Sequence, residues 1–443
     1  MIRRLIVAAS LVASPAVAQS DLSSAVKADY DRSLGALWDH FHRNPELSFV
    51  EVKTATRMAT ELRAVPGVVV TEKVGGTGVV GVMKNGAGPT VLVRADMDGL
   101  PVEEKSGLAN ASKVTQANRE GVVSPVMHAC GHDVHITSLV GTARQLAARK
   151  GQWSGTVVFV VQPAEERVGG ALAMIADGLY TRFPKPDYAL AFHVASVLAT
   201  GKISASEGIQ YASADTVDIM VPGIGAHGAS PHAGKDPVYM GTQIVQALQG
   251  IISRERSPLN PGVITVGAFH AGSKHNIISD RADLQVTVRA NDEATRAQLL
   301  AAIKRVAEGV GRLNGMAEDK LPRVTVSEGT PTTINDGPLA RRLNSALAGK
   351  LGAAAVVPFE QIGMGAEDFA AFVEPKHGIK GYYFAVGGTP QAAFDAAKAG
   401  GAPVPSHHSP LFKISPEPSV RLGTEAMTNA VLELLGTKAV AAR

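Results

Sequence analysis

The chain has 443 residues, of which 45% are hydrophobic and 19% are charged, and its formal net charge is +3 at pH 7. This length allows two domains, each with a hydrophobic core of its own. Because the charge is nearly balanced and no block of like charges stands out, we expect neither a nucleic-acid partner nor a membrane-surface partner.

The first predicted element is a secretory signal peptide over residues 1–18. Arg3 and Arg4 form a basic start, residues 5–12 are a short apolar run, and Ala-Val-Ala at 16–18 is a small-x-small cleavage signal. The alternative is a membrane anchor, but the apolar run is shorter than the roughly 20 residues that a spanning helix needs. We therefore expect cleavage after Ala18 and export to a bacterial periplasm.

Residues 19–211 are predicted to alternate helices with strands. Two helices come first, separated by a break at Asn44-Pro45, and the strands that follow are apolar and rich in β-branched residues. Helices are expected at 21–43, 53–64, 133–150 and 169–177, and strands at 68–74, 77–84, 90–98, 156–163 and 187–194. This alternation predicts an α/β fold built on a largely parallel sheet.

Residues 212–327 follow a different order, β-α-β-β-α-β, which is typical of ferredoxin-like domains. Strands are expected at 214–221, 262–270, 281–289 and 322–329, and helices at 236–254 and 293–313. The α/β pattern resumes over 328–443 and ends in a helix over 419–436. We therefore predict a compact second domain, 212–327, inserted into a first domain made of 19–211 and 328–443.

A glycine pattern at 76–81 fits the G-x-G-x-x-G fingerprint of dinucleotide-binding folds. That site requires the glycine turn to open a helix whose N-terminus faces the pyrophosphate. Here the chain continues as a predicted strand, so we do not expect nucleotide binding.

The stretch MHACGHDVH at 127–135 holds three histidines and the only cysteine of the chain. A single cysteine cannot form an internal disulfide, so Cys130 is an inert buried residue, an intermolecular link or a chemical group. With His132 at the start of a predicted helix, Cys130 forms a good ligand pair for a metal such as zinc, because the helix N-terminus favours the thiolate. His128 and His135 are competing candidates and are by default supporting or surface residues.

Carboxylates follow two predicted strands. Glu165 and Glu166 come after an apolar strand, at the end where α/β folds place their active sites, and two adjacent acids can divide metal binding and proton transfer. The alternative interpretation of Glu165 and Glu166 is that they are exposed residues of a solvated loop without a functional role. Asp96 and Asp98 end another strand and point the same way, so one of them can hold a ligand histidine by its second nitrogen.

Histidines stand at two further places, His193 at a strand end and His407-His408 near the C-terminus. Any one of these histidines taken alone is more often a structural residue than a functional one. Four separate segments that all offer ligands at strand ends indicate a metal site.

Eight motifs occur in one order along the chain: RADMDGLP, VMHACGHDVH, QPAEE, AFHV, GAHGASPHAGKDPV, HNIISDRADLQVTVR, GMGAEDFA and HHSPLF. Together they resemble the two-metal aminoacylase/carboxypeptidase family, and most closely its amidohydrolase branch with hippurate hydrolase and the plant auxin-conjugate (IAA-amino acid) hydrolases. The resemblance covers nearly all of the chain after residue 18. It implies a metallopeptidase-like α/β catalytic domain with an inserted ferredoxin-like domain that acts as lid and dimerisation domain.

The resemblance implies two divalent metal ions per subunit, and zinc, manganese, cobalt or nickel would suit the ligands. Cys130 is similar to the thiolate that bridges the two metals. His132 and His193 would complete one metal site. Glu166 and His408 would complete the other, and the spacing to Pro410 favours His408 over His407.

Other positions match the family's catalytic and binding residues. Glu165 resembles the general base, and Asp98 resembles the acid that orients a ligand histidine. His227 resembles a histidine that reaches over from the lid to polarise the scissile carbonyl, with His232 as the alternative. Two residues resemble the pair that holds the substrate carboxylate: Asn276 and Arg289.

The implied activity is hydrolysis of the amide bond in N-acyl amino acids or related carboxylate-bearing amides, by a homodimer formed through the lid. Dipeptidase or carboxypeptidase action on short peptides is the alternative. A binding or metal-storage protein with a dead site is a third hypothesis, against which the complete set of ligands argues. The chain is longer than the family's pattern between Leu108 and Met127, so the family's substrate preferences do not transfer directly.

Overall fold

The computed structural model describes residues 15–436, with side chains from Leu22 onward. Most of the predicted signal peptide, residues 1–14, lies outside the described residues. The helices are α1 (Pro15–Asp29), α2 (Gly35–Arg43), α3 (Val52–Arg63), α4 (His132–Ala148), α5 (Gly170–Ala176), α6 (Pro237–Arg254), α7 (Glu293–Leu313), α8 (Gly337–Leu351), α9 (Gln391–Lys398) and α10 (Pro416–Leu435).

The strands are β1 (Val68–Val74), β2 (Gly78–Asn85), β3 (Thr90–Asp96), β4 (Thr115–Ala117), β5 (Val123–Pro125), β6 (Gly155–Gln162), β7 (Tyr188–Ala199), β8 (Ile203–Ser204), β9 (Gly208–Tyr211), β10 (Ser213–Pro222), β11 (Ala226–His227), β12 (Gly262–Ala271), β13 (Ile277–Ile278), β14 (Arg281–Ala290), β15 (Arg323–Thr330), β16 (Thr333–Asn335), β17 (Val356–Val357) and β18 (Lys380–Thr389). No described helix is both long and apolar enough to cross a membrane.

The main sheet has the strand order β1-β2-β6-β3-β7-β18-β8-β17. Its centre, β6-β3-β7-β18, is parallel, whereas β1 and β2 pair antiparallel at one edge. Val157 and Val158 point to opposite faces of β6 and are both buried, because helices and loops cover the sheet on both sides. One face packs against α2, α3, α4, α8 and α10. The predicted α/β class with a parallel core is confirmed.

A second, antiparallel sheet has the order β12-β14-β10-β15. Its chain order is β10-α6-β12-β14-α7-β15, the predicted β-α-β-β-α-β arrangement, and it has its own hydrophobic cluster with α6 and α7. Asp236 and Asp292 begin the two helices by accepting main-chain N–H groups of the first turn. The domain limits at 212 and 327 stay predictions.

The topology brings three strand ends to one side of the main sheet. Because β3, β6 and β7 run parallel, Asp96, the turn after Gln162 and the segment from His193 all lie near that side. The N-terminus of α4 opens there with His132. This side of the sheet therefore collects the side chains that the sequence pattern pointed to.

Candidate metal centre

Gly131 shapes the entry into α4. Its backbone is left-handed, with φ of 80°, and a Cβ atom there would lie 2.4 Å from the Val194 side chain. Only glycine fits this close approach without strain. The tight turn leaves Cys130 just before α4 and His132 as its first residue.

Cys130 lies beside two histidines. Its Sγ is 3.4 Å from Nε2 of His193 and 3.7 Å from Nδ1 of His407. Nδ1 of His193 donates to the carbonyl of Val194 at 2.7 Å, so the lone pair on Nε2 of a neutral ring faces the sulfur. His193 is therefore held in the tautomer that a metal ligand needs.

His407 is oriented differently from His193. Its Nε2 accepts the main-chain N–H of Ser196 at 3.1 Å, so a neutral ring carries its proton on Nδ1, the atom that faces Cys130. A protonated Nδ1 donates a hydrogen bond to a thiolate and cannot ligate a metal. The geometry thus favours His408 as the ligand of this pair, and the assignment stays a prediction.

Glu166 joins the other two predicted ligands. Its Oε2 lies 3.4 Å from Nε2 of His408, and its Oε1 lies 3.8 Å from Nε2 of His132. The ligand atoms of Cys130, Glu166 and His408 lie within 4.8 Å of one another, as do those of Cys130, His193 and His407. We call the five predicted ligands, which the structure brings together, the candidate metal cluster: Cys130, His132, Glu166, His193 and His408.

The cluster fits divalent cations. Both ring nitrogens of His132 and Oε1 of Glu166 are buried, and within residues 15–436 they have no hydrogen-bond partner. Burial, together with Glu166 and Glu165, raises the pKa of the Cys130 thiol well above its usual range. A cation would satisfy these atoms and stabilise the thiolate, because positive charge beside an acid lowers its pKa.

Asp98 lies between His132 and the turn that carries the two glutamates. Its Oδ1 and Oδ2 accept the main-chain N–H groups of Glu165 and Glu166, each at 3.1 Å. Oδ1 also lies 3.4 Å from Nδ1 of His132, and the Ser48 hydroxyl donates to Oδ2. Asp98 therefore stands where an acid that orients a ligand histidine would stand.

Glu165 lines the cavity that opens onto the cluster, and its side chain is nearly fully buried. Burial raises the pKa of its carboxyl well above the ordinary value, and the neighbouring Glu367 and Glu166 raise it further. Cations at the adjacent cluster would oppose this shift and favour the ionised form that a base needs.

His128 and His135 are both buried, so the surface alternative is wrong for them. Nδ1 of His135 lies 2.5 Å from Oδ1 of Asp96, and its Nε2 accepts the main-chain N–H of Val194. With both nitrogens engaged, His135 supports the strand that carries His193 and is not free to bind a metal. Burial lowers the pKa of His128 to about 4.

Sequence reasoning missed a buried ionic network under the cluster. The guanidinium of Arg94 donates to Asp96 and Glu367 at 2.6 Å each, and it lies 3.2 Å from Asp368. An arginine inside an apolar strand must find buried acids, so the Arg of RADMD and the Glu-Asp of GMGAEDFA were the available signal. The network joins β3 to the 367–368 segment.

A cavity of about 930 Å³ opens onto the cluster. Arg289 of β14 also lines it, half-buried, and its Nε donates to the Thr287 hydroxyl at 3.2 Å. Among the described residues no carboxylate forms an ion pair with Arg289, and burial lowers the pKa of this guanidinium. Apolar side chains fill much of the remaining wall: Val197, Leu198, Val263, Val357, Phe359, Ile362 and Met364.

His227 and Asn276 lie elsewhere. His227 is an exposed residue of β11, and Asn276 is exposed in the turn just before β13, where its carbonyl accepts the N–H of Gly228. Neither lines the cavity, and His232 is likewise exposed and outside it. Their roles at the site stay predictions.

The segment between Leu108 and Met127 forms the β4–β5 hairpin. Glu120 in its loop pairs with Arg167, which directly follows Glu166. The hairpin borders a smaller cleft with Phe49 and Arg167 and does not line the main cavity.

Comparison with known proteins identifies relatives. The Campylobacter jejuni hippurate hydrolase is 40% identical over 296 residues, 67% of this chain and 73% of that protein. The N-acetylcysteine deacetylase of Bacillus subtilis is 33% identical over 356 residues, 78% and 86% of the two chains. The crystal structure of the Bacillus subtilis YXEP protein, a dinuclear metal binding peptidase from the M20 family, has a TM-score of 0.73 and 28% identity, and covers 92% of this chain and 99% of that one.

The resemblance read from the motifs is therefore confirmed. The model of peptidase family M20/M25/M40 matches residues 92–399, well over half of the chain, and the matched region includes all but one residue of the candidate metal cluster. This chain belongs to the peptidase family M20/M25/M40.

Proposed function

We propose that this chain is a metal-dependent amidohydrolase that cleaves the amide bond of N-acyl amino acids or related amides with a free carboxylate. The observation that carries the proposal is one cavity shared by Cys130 and its neighbouring ligands, by Glu165 and by the unpaired Arg289. The relatives' names agree, since hippurate and N-acetylcysteine are both N-acyl amino acids.

The candidate metal cluster would hold two divalent ions per subunit, and its thiolate, imidazole and carboxylate ligands suit zinc, manganese, cobalt or nickel. Cys130 would serve both ions, since its sulfur lies 3.4 Å from Nε2 of His193 and also lies close to the ligand atoms of Glu166 and His408. When bound, such ions polarise a carbonyl oxygen and lower the pKa of water toward neutrality.

The chain's own residues would carry the proton and the substrate. The Glu165 carboxylate accepts a proton from the attacking water and then donates it to the leaving amine nitrogen. The guanidinium of Arg289 binds the substrate carboxylate with its planar fork, which orients the amide toward the cluster. The apolar wall accommodates an apolar acyl group or side chain and excludes water.

The lid residue His227 would stabilise the oxyanion. Its Nδ1 accepts the N–H of Ala229 at 3.0 Å, so a neutral ring carries its proton on Nε2, free to donate to an oxygen. Because His227 lies outside the cavity, a domain motion or a second subunit must bring it in. His227→Ala should then lower kcat, while His232→Ala should not.

The proposal is tested with a panel of N-acetyl and N-benzoyl amino acids, the same compounds with the carboxylate amidated, and dipeptides. Metal content of the purified protein is measured, the metal is removed by a chelator, and each candidate ion is added back alone. We expect metal-dependent release of the amino acid from the carboxylate-bearing amides. No metal-dependent hydrolysis of any amide in the panel would refute the proposal.

Peptidase action is the second candidate, because the YXEP protein is described as a peptidase and Arg289 would also accept a peptide carboxylate. The same panel separates the two. Higher kcat/KM on dipeptides than on every N-acyl amino acid would assign peptidase activity instead.

We also propose a homodimer formed through the second sheet, and export after cleavage at Ala18. Strand β12 is an edge of that sheet, and its free main-chain groups can pair with a second copy. Light scattering of the purified protein tests the dimer.

N-terminal sequencing of the protein recovered from periplasmic extract tests cleavage and export.

A further inference from the structure

Glu165 and Glu166 lie on a strained turn. Ala164 and Val168, on either side of Glu165 and Glu166, have φ of 49° and 52°, in the left-handed region that non-glycine residues rarely adopt. For a β-branched residue such as Val168 this conformation is a genuine outlier. A strained turn keeps its shape only where its surroundings impose that shape. We call residues 163–168 the glutamate turn.

Two buried carboxylates supply this restraint. Asp98 accepts the N–H groups of Glu165 and Glu166. Oε1 of Glu51 accepts the N–H of Ala164, the residue just before them, at 2.8 Å. Three consecutive main-chain donors of the turn are thus held by two side chains from other parts of the chain.

Glu51 is itself rigidly placed. It is fully buried; its Oε1 also accepts the N–H of Phe49 at 2.8 Å, and its Oε2 accepts the hydroxyl of Thr77 at 2.5 Å. No lysine, arginine or histidine forms an ion pair with Glu51 among the described residues. The hydrogen bonds that hold this carboxylate in place are therefore ones that it accepts, and one of them comes from the glutamate turn.

We infer that Glu51 is a positioning residue, which sets the place of Glu165 and Glu166 by anchoring the N–H of Ala164. The inference rests on the proposed function, because positioning matters to catalysis only if Glu165 is the base. The positioning role of Glu51 requires a hydrogen-bond acceptor at the position of Oε1, and it does not require a negative charge. Glutamine can supply that acceptor to Ala164 and Phe49, and its amide can donate to the Thr77 oxygen.

Three substitutions of Glu51 separate these requirements. Glu51→Gln keeps length and acceptor but removes the charge, and we expect kcat within a few-fold of wild type. Glu51→Met keeps the length of the side chain but removes the hydrogen-bond acceptor. Glu51→Asp keeps the negative charge, but its shorter side chain moves the carboxylate away from the N–H of Ala164. A displacement of about 1 Å can cost on the order of 10²-fold in rate, so we expect kcat to fall about 10- to 100-fold in both, with little change in KM.

Glu46 provides a matched control in the same segment. It is also buried, and its Oε2 accepts the N–H of Thr54 in α3 at 2.7 Å, but its carboxylate does not contact the glutamate turn. Glu46→Met should lower the melting temperature about as much as Glu51→Met while leaving kcat near wild type. If Glu51→Met does not fold, the comparison of Glu51→Asp with Glu51→Gln replaces it.

Hydrogen exchange gives a readout that does not depend on activity. Amides of the glutamate turn should exchange at least about 10-fold faster in Glu51→Met and Glu51→Asp than in wild type, Glu51→Gln or Glu46→Met. Unchanged exchange and kcat in Glu51→Met and Glu51→Asp would overturn the inference. So would equal loss of kcat in Glu51→Gln and Glu51→Met, since the charge would then be what matters. A wild type without amide hydrolysis would refute the proposed function, while exchange would still decide whether Glu51 holds the turn.

Discussion

The sulfur of Cys130 lies 3.4 Å from Nε2 of His193, and a hydrogen bond from Nδ1 to a main-chain carbonyl turns that nitrogen's lone pair toward the sulfur. A sulfur and an imidazole nitrogen held this close, on residues that line the same cavity, are a geometry that a cation would stabilise. The lone cysteine of the chain therefore has a defined chemical environment, and the first prediction concerns it.

Cys130→Ser should lower both metal content and activity. A serine hydroxyl remains protonated near neutral pH and is a poorer ligand for zinc-like ions than a thiolate. Metal per subunit is measured by elemental analysis after dialysis, with circular dichroism to verify folding. Ser138→Ala, a buried substitution in α4, the helix that follows Cys130, is the control and should retain its metal. Full metal occupancy in Cys130→Ser would show that Cys130 does not bridge the metals.

Glu165→Gln and Glu166→Gln should differ in what they lose. Without a base, Glu165→Gln should retain its metal and lose about 10²- to 10⁴-fold in kcat. Glu166→Gln removes a ligand and should lose metal as well as activity. Parallel measurement of metal content and kcat checks both. Near-wild-type turnover of Glu165→Gln would contradict its assignment as the base.

His408→Ala should release metal, whereas His407→Ala should retain most of it. His407 accepts from the N–H of Ser196 and so presents a protonated Nδ1 to Cys130, while Nε2 of His408 faces Glu166. Metal dissociation constants of the two variants, determined by competition with a chelator, test the difference. The reverse order of affinities would assign the ligand to His407.

Arg289→Met should raise KM for substrates with a free carboxylate by about 10- to 100-fold, since hydrogen bonds between charged groups contribute about 1.5–3 kcal/mol. The amidated analogues lack that carboxylate, and their kcat/KM should change little. Arg281→Met, on the same strand, removes an exposed arginine that pairs with Asp283 and serves as the control. An equal loss on both classes of substrate would argue against carboxylate recognition by Arg289.

His42 should make stability depend on pH. Burial alone would lower its pKa, but the hydrogen bond to Asp133 at 2.8 Å and the Glu104 carboxylate 3.4 Å away outweigh burial and raise the pKa to about 10. The unfolded chain releases this proton near pH 6.5, so the stabilisation is complete below that pH and is lost as pH rises toward 10.

The measurement for His42 is the free energy of unfolding in urea between pH 7 and pH 10. It should fall more steeply in wild type than in His42→Gln, by up to about 1.4 kcal/mol per pH unit, which corresponds to one proton. Equal slopes in the two proteins would show that His42 is not charged in the folded state.

The alternation of apolar strands with helices was predictable from residues 19–211 because the central strands, such as β3 and β6, are buried on both faces and are therefore largely apolar. The grouping of Cys130, His132, Glu165 and Glu166 at one side of the sheet was also predictable, since polar residues placed just after strands or at a helix start leave a local pattern. The second sheet was predictable from the β-α-β-β-α-β order of its strands and helices, which is also a local pattern in the sequence.

Contacts between segments that are distant in the chain could not be predicted from the sequence. Glu51 and Ala164 are 113 positions apart, and so are joined by packing that no local pattern records. The choice between His407 and His408 likewise depends on which main-chain N–H reaches which ring nitrogen, and the buried state of His135 on its contact with Asp96. The sequence alone determined the order of strands and helices and the chemical types at the site, because these depend on local burial and backbone preference. The tertiary structure alone decided tautomers, restraints and pocket neighbours, because each depends on two segments meeting in space.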